Sequence, residues 1–192
     1  MGALILLRHG QSQWNQENRF TGWVDVDLSE KGIQEAKAAG ETLKQFHINR
    51  VFTSVLKRAI ETASIALKVA GQSNVPVIQN IALNERHYGD LQGLNKDDMR
   101  QKYGVNQVHI WRRSYDIRPP GGESLKDTCD RVLPYYREVI KPYVLAGETV
   151  LVSAHGNSLR GLIKEIDGLS EAEIVDVEVP TGVPIIYKEL KS

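Results

Sequence analysis

The sequence predicts an α/β protein of three layers, with a mainly parallel central sheet between two layers of helices and a lid segment inserted along the way. Three observations carry this prediction. Short aliphatic runs alternate with stretches whose apolar residues recur at helical spacing, and strand then helix, repeated, builds a parallel sheet covered on both faces. Two of the aliphatic runs end in His-Gly, at positions 9–10 and 155–156. In open α/β sheets the carboxyl ends of strands face the crevice where ligands bind. Finally, a polar stretch rich in Arg and Tyr, from Leu83 to Gly122, breaks the rhythm. Long irregular stretches in compact domains tend to be functional, so this one reads as a lid over the sheet edge.

In chain order, Ala3 to Leu7 is the first strand and runs into Arg8, His9 and Gly10. Ser29 suits a helix N-cap, and Ile33, Ala36, Gly40, Leu43 and Phe46 follow at helical spacing. Arg50 to Thr53 is the second strand, followed by the stripe Leu56, Ile60, Ala63, Leu67 and Ala70. Pro76 to Ile78 is a third. Ser124 opens a long helix with Leu125, Cys129, Val132, Tyr136, Ile140 and Tyr143 on one face. Pro134 lies within it and should bend it, since proline donates no backbone hydrogen bond. Val150 to Ala154 is a fourth strand, ending at His155-Gly156-Asn157-Ser158 before another helix, and Val183 to Tyr187 is the last. There is no internal repeat or low-complexity tract, and residues 1–192 are expected to form one domain with an insertion at about 83–122.

Of 192 residues, 41% are hydrophobic and 25% charged, ordinary globular values that argue against disorder. Lys plus Arg number 24 and Asp plus Glu 24, so no global charge draws the chain to nucleic acid or to anionic membranes. Any anion must be held by a local cluster of cations. Cys129 is the single cysteine; it excludes an intrachain disulfide, fits a reducing compartment, and shares a helical face with Leu125 and Val132 as core filler. The N-terminal apolar run is too short for a signal peptide or membrane span, and Leu6 stands where a myristoylation signal wants Ser or Thr. The expectation is a soluble cytoplasmic protein. No Walker-type loop, paired-aspartate motif or His-Glu-x-x-His spacing suggests a metal.

The chemistry follows from the two His-Gly strand ends. In a parallel sheet both lie on one edge, so His9 and His155 should meet there. Arg58 begins a helix just after the second strand and Arg8 precedes His9, which puts two guanidiniums beside two imidazoles. Singly, each is a weak signal; together they make a pocket for a phosphoryl group. Phosphoryl transfer needs chiefly positioning and stabilisation of charge on the equatorial oxygens. A neutral His9 could attack phosphorus and become a phosphohistidine, with His155 hydrogen-bonding the transferring group. Nearby cations disfavour the protonated imidazole, which keeps the nucleophile free.

The segments "LLRHGQSQWNQENRFTGWVDVDLSEKG", "SVLKRAIET", "LNERHYGDLQGLNK", "WRRSYDIRPPGGES" and "AHGNSLR…PTGVP" resemble the 2,3-bisphosphoglycerate-dependent phosphoglycerate mutases, within the histidine phosphatase superfamily. Arg-His-Gly alone marks only the superfamily; "NERHYG" with "GLNK" and "WRR" points to the mutases. The resemblance spans Leu4 to Tyr187. It implies interconversion of 3-phosphoglycerate and 2-phosphoglycerate in glycolysis and gluconeogenesis, primed by 2,3-bisphosphoglycerate without a metal. His9 resembles the phosphorylated nucleophile, with Arg8, Arg58 and His155 in the phosphate pocket. Asn15 and the backbone at Thr21-Gly22 and Gly156-Asn157 would add donors. Glu85 resembles the general acid/base, the alternative being a surface pair with Arg86, which would be worth little. Tyr88, Lys96, Arg112 and Arg113 resemble the residues that grip the substrate's carboxylate and far phosphate. Five cations, Arg8, Arg58, Lys96, Arg112 and Arg113, match a ligand with two phosphates and a carboxylate. Trp14, Trp23 and Trp111 read as lid core.

Two departures from the family's longer members bear on expectation. Gly121-Gly122-Glu123-Ser124 follows Pro119-Pro120 at once, where longer members carry an insertion, which leaves monomer or homo-oligomer open. The extended C-terminal tail is also missing, which implies a site less well closed over phosphohistidine, covered mostly by residues 83–122. Gln11 stands where many superfamily members have Glu, a minor change. The rivals are a broad phosphomonoesterase using the same histidine and a phospho-ligand binding module without catalysis.

Overall fold

The computed structural model describes residues 2–191. In chain order its elements are β1 (Leu4–Arg8), α1 (Gln13–Gln16), α2 (Glu30–Leu43), β2 (Arg50–Thr53), α3 (Lys57–Val69), β3 (Val77–Gln79), α4 (Lys96–Tyr103), α5 (Val105–Arg113), α6 (Leu125–Tyr135), α7 (Lys141–Leu145), β4 (Val150–Ala154), α8 (Gly156–Asp167), α9 (Glu171–Ile174) and β5 (Ile185–Tyr187). Among the described residues the sheet has five strands in the order β3-β2-β4-β1-β5, parallel throughout except for β5, which runs antiparallel to β1 at the edge.

The period of two along the strands divides the core between the sheet's faces. Leu4 and Leu6 of β1, with Val150 and Val152 of β4, point to the side covered by α6 and α8, where they meet Leu125, Cys129, Val132, Leu159 and Leu162. Ile5, Leu7, Val51 and Leu151 point to the opposite side, against Ala39 and Leu43 of α2 and Ala63, Ala66 and Leu67 of α3. This is the expected three-layer α/β/α arrangement, and Cys129 is buried filler within it. Ser29 caps α2 as the sequence predicts, and Ser124 caps α6, each accepting a hydrogen bond from the third residue of its helix. Pro134 does not end its helix: α6 passes into a wider π-helical turn, Tyr136–Ile140, before α7.

Residues 83–122 depart from the irregular lid that the sequence suggested. They follow a 3-10 turn at Ile81–Leu83 and hold a second at Gly89–Leu91 together with the helices α4 and α5. Phe20, Leu91, Met99, Val108 and Trp111 form a small separate core beneath them, with Tyr88 packed against it. Trp111 is lid core as expected, whereas Trp14 and Trp23 are only partly buried.

Candidate active site

The sheet register brings the two His-Gly ends together. Arg8 pairs with Ala154 across β1 and β4, and Thr53 of β2 pairs with Ser153, so the carboxyl ends of all three strands finish on one line. His9 extends the ladder by one rung, its N–H donating to the Ala154 carbonyl at 3.0 Å. The His9 and His155 rings then stand 5.0 Å apart, tilted at 59°. Gly10 is required at the next position: a Cβ there would lie 2.2 Å from the Gly32 carbonyl oxygen in the first turn of α2.

The ring proton of His9 has a defined place. Nδ1 lies 2.6 Å from the Gly10 carbonyl oxygen, which can only accept, so Nδ1 carries the proton and Nε2 keeps its lone pair. Burial, then Arg58, then Arg8 hold the His9 pKa well below the ordinary histidine value, so the imidazole is neutral at pH 7. The cations foreseen from the sequence contribute in that direction, but burial is the larger cause. His155 is likewise pushed down by burial and by Arg58, His9 and Arg8. Its Nε2 is 2.7 Å from the Ser54 hydroxyl.

His9 lines a cleft of about 220 Å³ with Arg8, Asn15, Thr21, Gly22, Arg58, Glu85, Tyr88, Lys96, Arg112, Arg113, Gly156 and Asn157. Thus every site residue predicted from the sequence borders one cavity except His155, which stands behind His9. The second wall comes from the lid: Lys96 opens α4, and Arg112 and Arg113 close α5. Burial pulls the Lys96 ammonium down to about 8, helped by Arg112, Arg8 and Arg100. Arg58 is pulled to about 10 by burial and remains charged at neutral pH.

Buried polar atoms without a partner identify what the cleft is built to take. Among the described residues these are Arg8 Nε, Thr21 Oγ1, Arg58 Nε, Arg113 Nη1 and His155 Nδ1. Native proteins satisfy nearly all such groups. Here four of the five residues line the cleft and the fifth packs on His9, and most of the atoms are cationic donors, the complement of an oxyanion.

Glu85 is fixed by its neighbours. Its Oε1 accepts the backbone N–H groups of Arg86 (2.8 Å) and Asn157 (3.1 Å), while its own carbonyl takes Trp23 Nε1–H (2.5 Å) and Arg131 Nη2–H (3.0 Å). The surface pair with Arg86 does not exist. Arg86 is buried and spans the lid instead, donating to the carbonyls of Glu123 (2.6 Å) and Trp111 (2.5 Å). One expected anion donor is also already engaged, because the Asn157 N–H belongs to Glu85. Gly22 sits at φ +62°, where its carbonyl accepts Arg58 Nη2–H at 2.6 Å.

Sequence reasoning missed Arg160, Glu178, Phe20 and Arg19, which also line the cleft. Arg160 lies three residues after Asn157 on α8 and donates to its side-chain oxygen at 3.0 Å, so helical spacing carried a usable signal. Glu178 reaches the cleft from a loop and pairs with Arg113 at 2.9 Å.

The fold and the site are those of an α/β protein with paired imidazoles and clustered guanidiniums at a parallel-sheet edge. The sequence profile of the histidine phosphatase superfamily (branch 1) matches residues 4–186, and the chain belongs to that superfamily. It is 60% identical over 188 residues to a 2,3-bisphosphoglycerate-dependent phosphoglycerate mutase of Mesorhizobium japonicum, covering 97% of this chain and 91% of that one. It is 58% identical to a phosphoglycerate mutase of Schizosaccharomyces pombe, covering 96% and 88%. Among solved structures, a mycobacterial glucosyl-3-phosphoglycerate phosphatase superposes with a TM-score of 0.84 at 29% identity, covering 97% and 90%. A phosphoglycerate mutase from Bacillus anthracis superposes at 0.79 with 26% identity, covering 100% and 92%. Among the described residues no helix is long and apolar enough to cross a membrane, and no group of three or more His, Cys, Asp or Glu could hold a metal ion.

Proposed function

We propose that this protein is a phosphoglycerate mutase that interconverts 3-phosphoglycerate and 2-phosphoglycerate through a phosphoryl group carried on His9 Nε2. The observation that carries the reading is the fixed tautomer of His9: Nδ1–H is tied to Gly10, which leaves a nucleophilic Nε2 in a cleft lined with guanidiniums. The high identity to curated mutases supports the substrate. 2,3-Bisphosphoglycerate supplies the priming phosphoryl group, and the unpartnered donors of Arg8, Arg58 and Thr21 fit its phosphate.

In this reading His9 Nε2 attacks phosphorus, and the P–O bond to the donor oxygen breaks as the N–P bond forms. Arg8 and Arg58 stabilise the equatorial oxygens. With Ser54 donating its hydroxyl proton to Nε2, His155 presents Nδ1–H to the same group. Glu85, whose second carboxylate oxygen is free of the backbone bonds, removes the proton from the accepting hydroxyl and returns one to the leaving oxygen on the reverse step. Arg112, Arg113, Lys96 and Tyr88 hold the carboxylate and the far phosphate, which decides which hydroxyl faces His9. Residues 83–122, with α4 and α5, cover the edge of the sheet. The protein acts as one domain, without a metal, in the cytoplasm.

The test is turnover of 3-phosphoglycerate and of p-nitrophenyl phosphate, each with and without 2,3-bisphosphoglycerate. Mutase turnover dependent on priming is expected. Phosphatase turnover alone would favour a phosphomonoesterase; the mycobacterial structural relative is named a glucosyl-3-phosphoglycerate phosphatase.

A further inference from the structure

We propose that Glu178 is an exchangeable counter-ion of Arg113, holding the guanidinium that the substrate's carboxylate takes over on binding. The inference rests on the phosphoglycerate reading above. Among the described residues, the carboxylates that line the cleft are Glu85 and Glu178. They are used differently. Glu85 is committed to two backbone N–H groups, whereas the Glu178 carboxylate accepts from Arg113 Nη2 at 2.9 Å and makes no other hydrogen bond among those residues.

The geometry favours exchange over a permanent bond. The Glu178 side chain is 74% exposed and that of Arg113 only 21%, so the pair sits at the rim with the acid outside and the base inside. An ion pair with one partner so open to water is weak and is readily broken. Arg113 Nη1 is buried and has no partner among the described residues. A guanidinium grips a carboxylate best through two parallel N–H groups. Glu178 occupies one N–H of Nη2, so a substrate carboxylate that pairs with that edge of the guanidinium takes the place of Glu178. In the free protein Glu178 lies near enough to favour the charged forms of Arg112 and Arg160 as well as pairing Arg113. It therefore relieves mutual repulsion among three guanidiniums on the substrate-recognition side, and its return on product release lowers the affinity the cluster would otherwise have.

The segment that carries Glu178 is anchored independently of it. Val179 O accepts Arg8 Nη1–H at 2.7 Å and Gly182 N–H donates to the Arg8 carbonyl at 2.9 Å, so an exposed substitution at 178 leaves the loop in place. The experiment is calorimetric titration of 3-phosphoglycerate and of inorganic phosphate into the unmodified protein and into Glu178→Gln. The Kd for 3-phosphoglycerate should fall about two- to fivefold, the worth of an exposed pair, while that for inorganic phosphate stays as it was. A weaker Kd for 3-phosphoglycerate would make Glu178 a positioning residue that holds Arg113 in place. An equal tightening for both ligands would reduce it to a general field effect, and no change would leave it a passive rim contact; each of these overturns the proposal. Failure of the mutase reading shows separately, as absence of mutase turnover in a protein that still binds 3-phosphoglycerate.

Discussion

The two walls of the cleft are built by different means. On the sheet side, His9, His155 and Arg8 stand on or next to β1 and β4, where the ladder fixes every backbone atom, and Arg58 is locked by the Gly22 and Val24 carbonyls at 2.6 and 2.9 Å. On the lid side, Lys96, Arg112 and Arg113 sit at the ends of two short helices over a core of a few residues, tied down mainly by Arg86. A rigid wall suits chemistry that needs one geometry within fractions of an ångström. A lid wall on a small core can adjust to whichever group of the substrate it receives. In the proposed mechanism phosphoryl transfer falls to the sheet wall and recognition to the lid wall.

The contrast is open to breaking. Arg8→Ala, on the sheet side, should lower kcat/KM by about a hundredfold or more for 3-phosphoglycerate and for p-nitrophenyl phosphate alike, as loss of a group that stabilises the transferring oxyanion does. Arg113→Ala, on the lid side, should cost about ten- to a hundredfold on 3-phosphoglycerate, near 1.5–3 kcal/mol for one charge-assisted contact, and leave the simple ester nearly untouched. Equal losses in the second variant would erase the division between the walls.

Lys96 sharpens it further. Its ammonium titrates at about 8, so the lid loses a cation as the pH rises through that value. kcat/KM for 3-phosphoglycerate should therefore decline about tenfold by pH 9, with little change for p-nitrophenyl phosphate. In Lys96→Arg the cation persists and the alkaline limb should move upward. A limb that stays in place would assign it to another group.

A further effect concerns stability rather than turnover. His9 and His155 are buried neutral with depressed pKa values, so below about pH 6.5 the unfolded chain binds protons that the folded chain does not. Their contribution is fully present above that pH and declines as the pH falls, by about 1.4 kcal/mol per pH unit for each histidine. Urea denaturation at pH 7.5 and pH 5.5 measures the slope, and His155→Gln should reduce it. An unchanged slope in that variant would contradict a buried neutral His155.

The same contrast governs what could be read from the sequence. The sheet wall was legible because its signals are local: aliphatic runs of strand length, each stopping at His-Gly, with register following once the strands are taken as parallel. β2 and β4 match their predicted bounds, and β1, β3 and β5 differ by one or two residues at their ends. The lid residues were legible only through the family resemblance, and its helices not at all. α4 buries just Met99 and α5 just Val108 and Trp111, too few apolar positions to mark a face. Their core is completed by Phe20 and Leu91, which no periodicity connects to them. Glu178 was invisible for a similar reason, since it lies 65 residues from Arg113 in a loop without a pattern. Arg160 was within reach, one helical step from Asn157.

The central claim is that the sheet edge holds a nucleophilic imidazole at His9, and phosphoryl labelling tests it most directly. After incubation with 2,3-bisphosphoglycerate, mass spectrometry should find one acid-labile phosphoryl group per chain, on His9, that is lost on addition of 3-phosphoglycerate and absent in His9→Ala. Labelling at His155 or another residue, or mutase turnover that survives His9→Ala, would contradict the account.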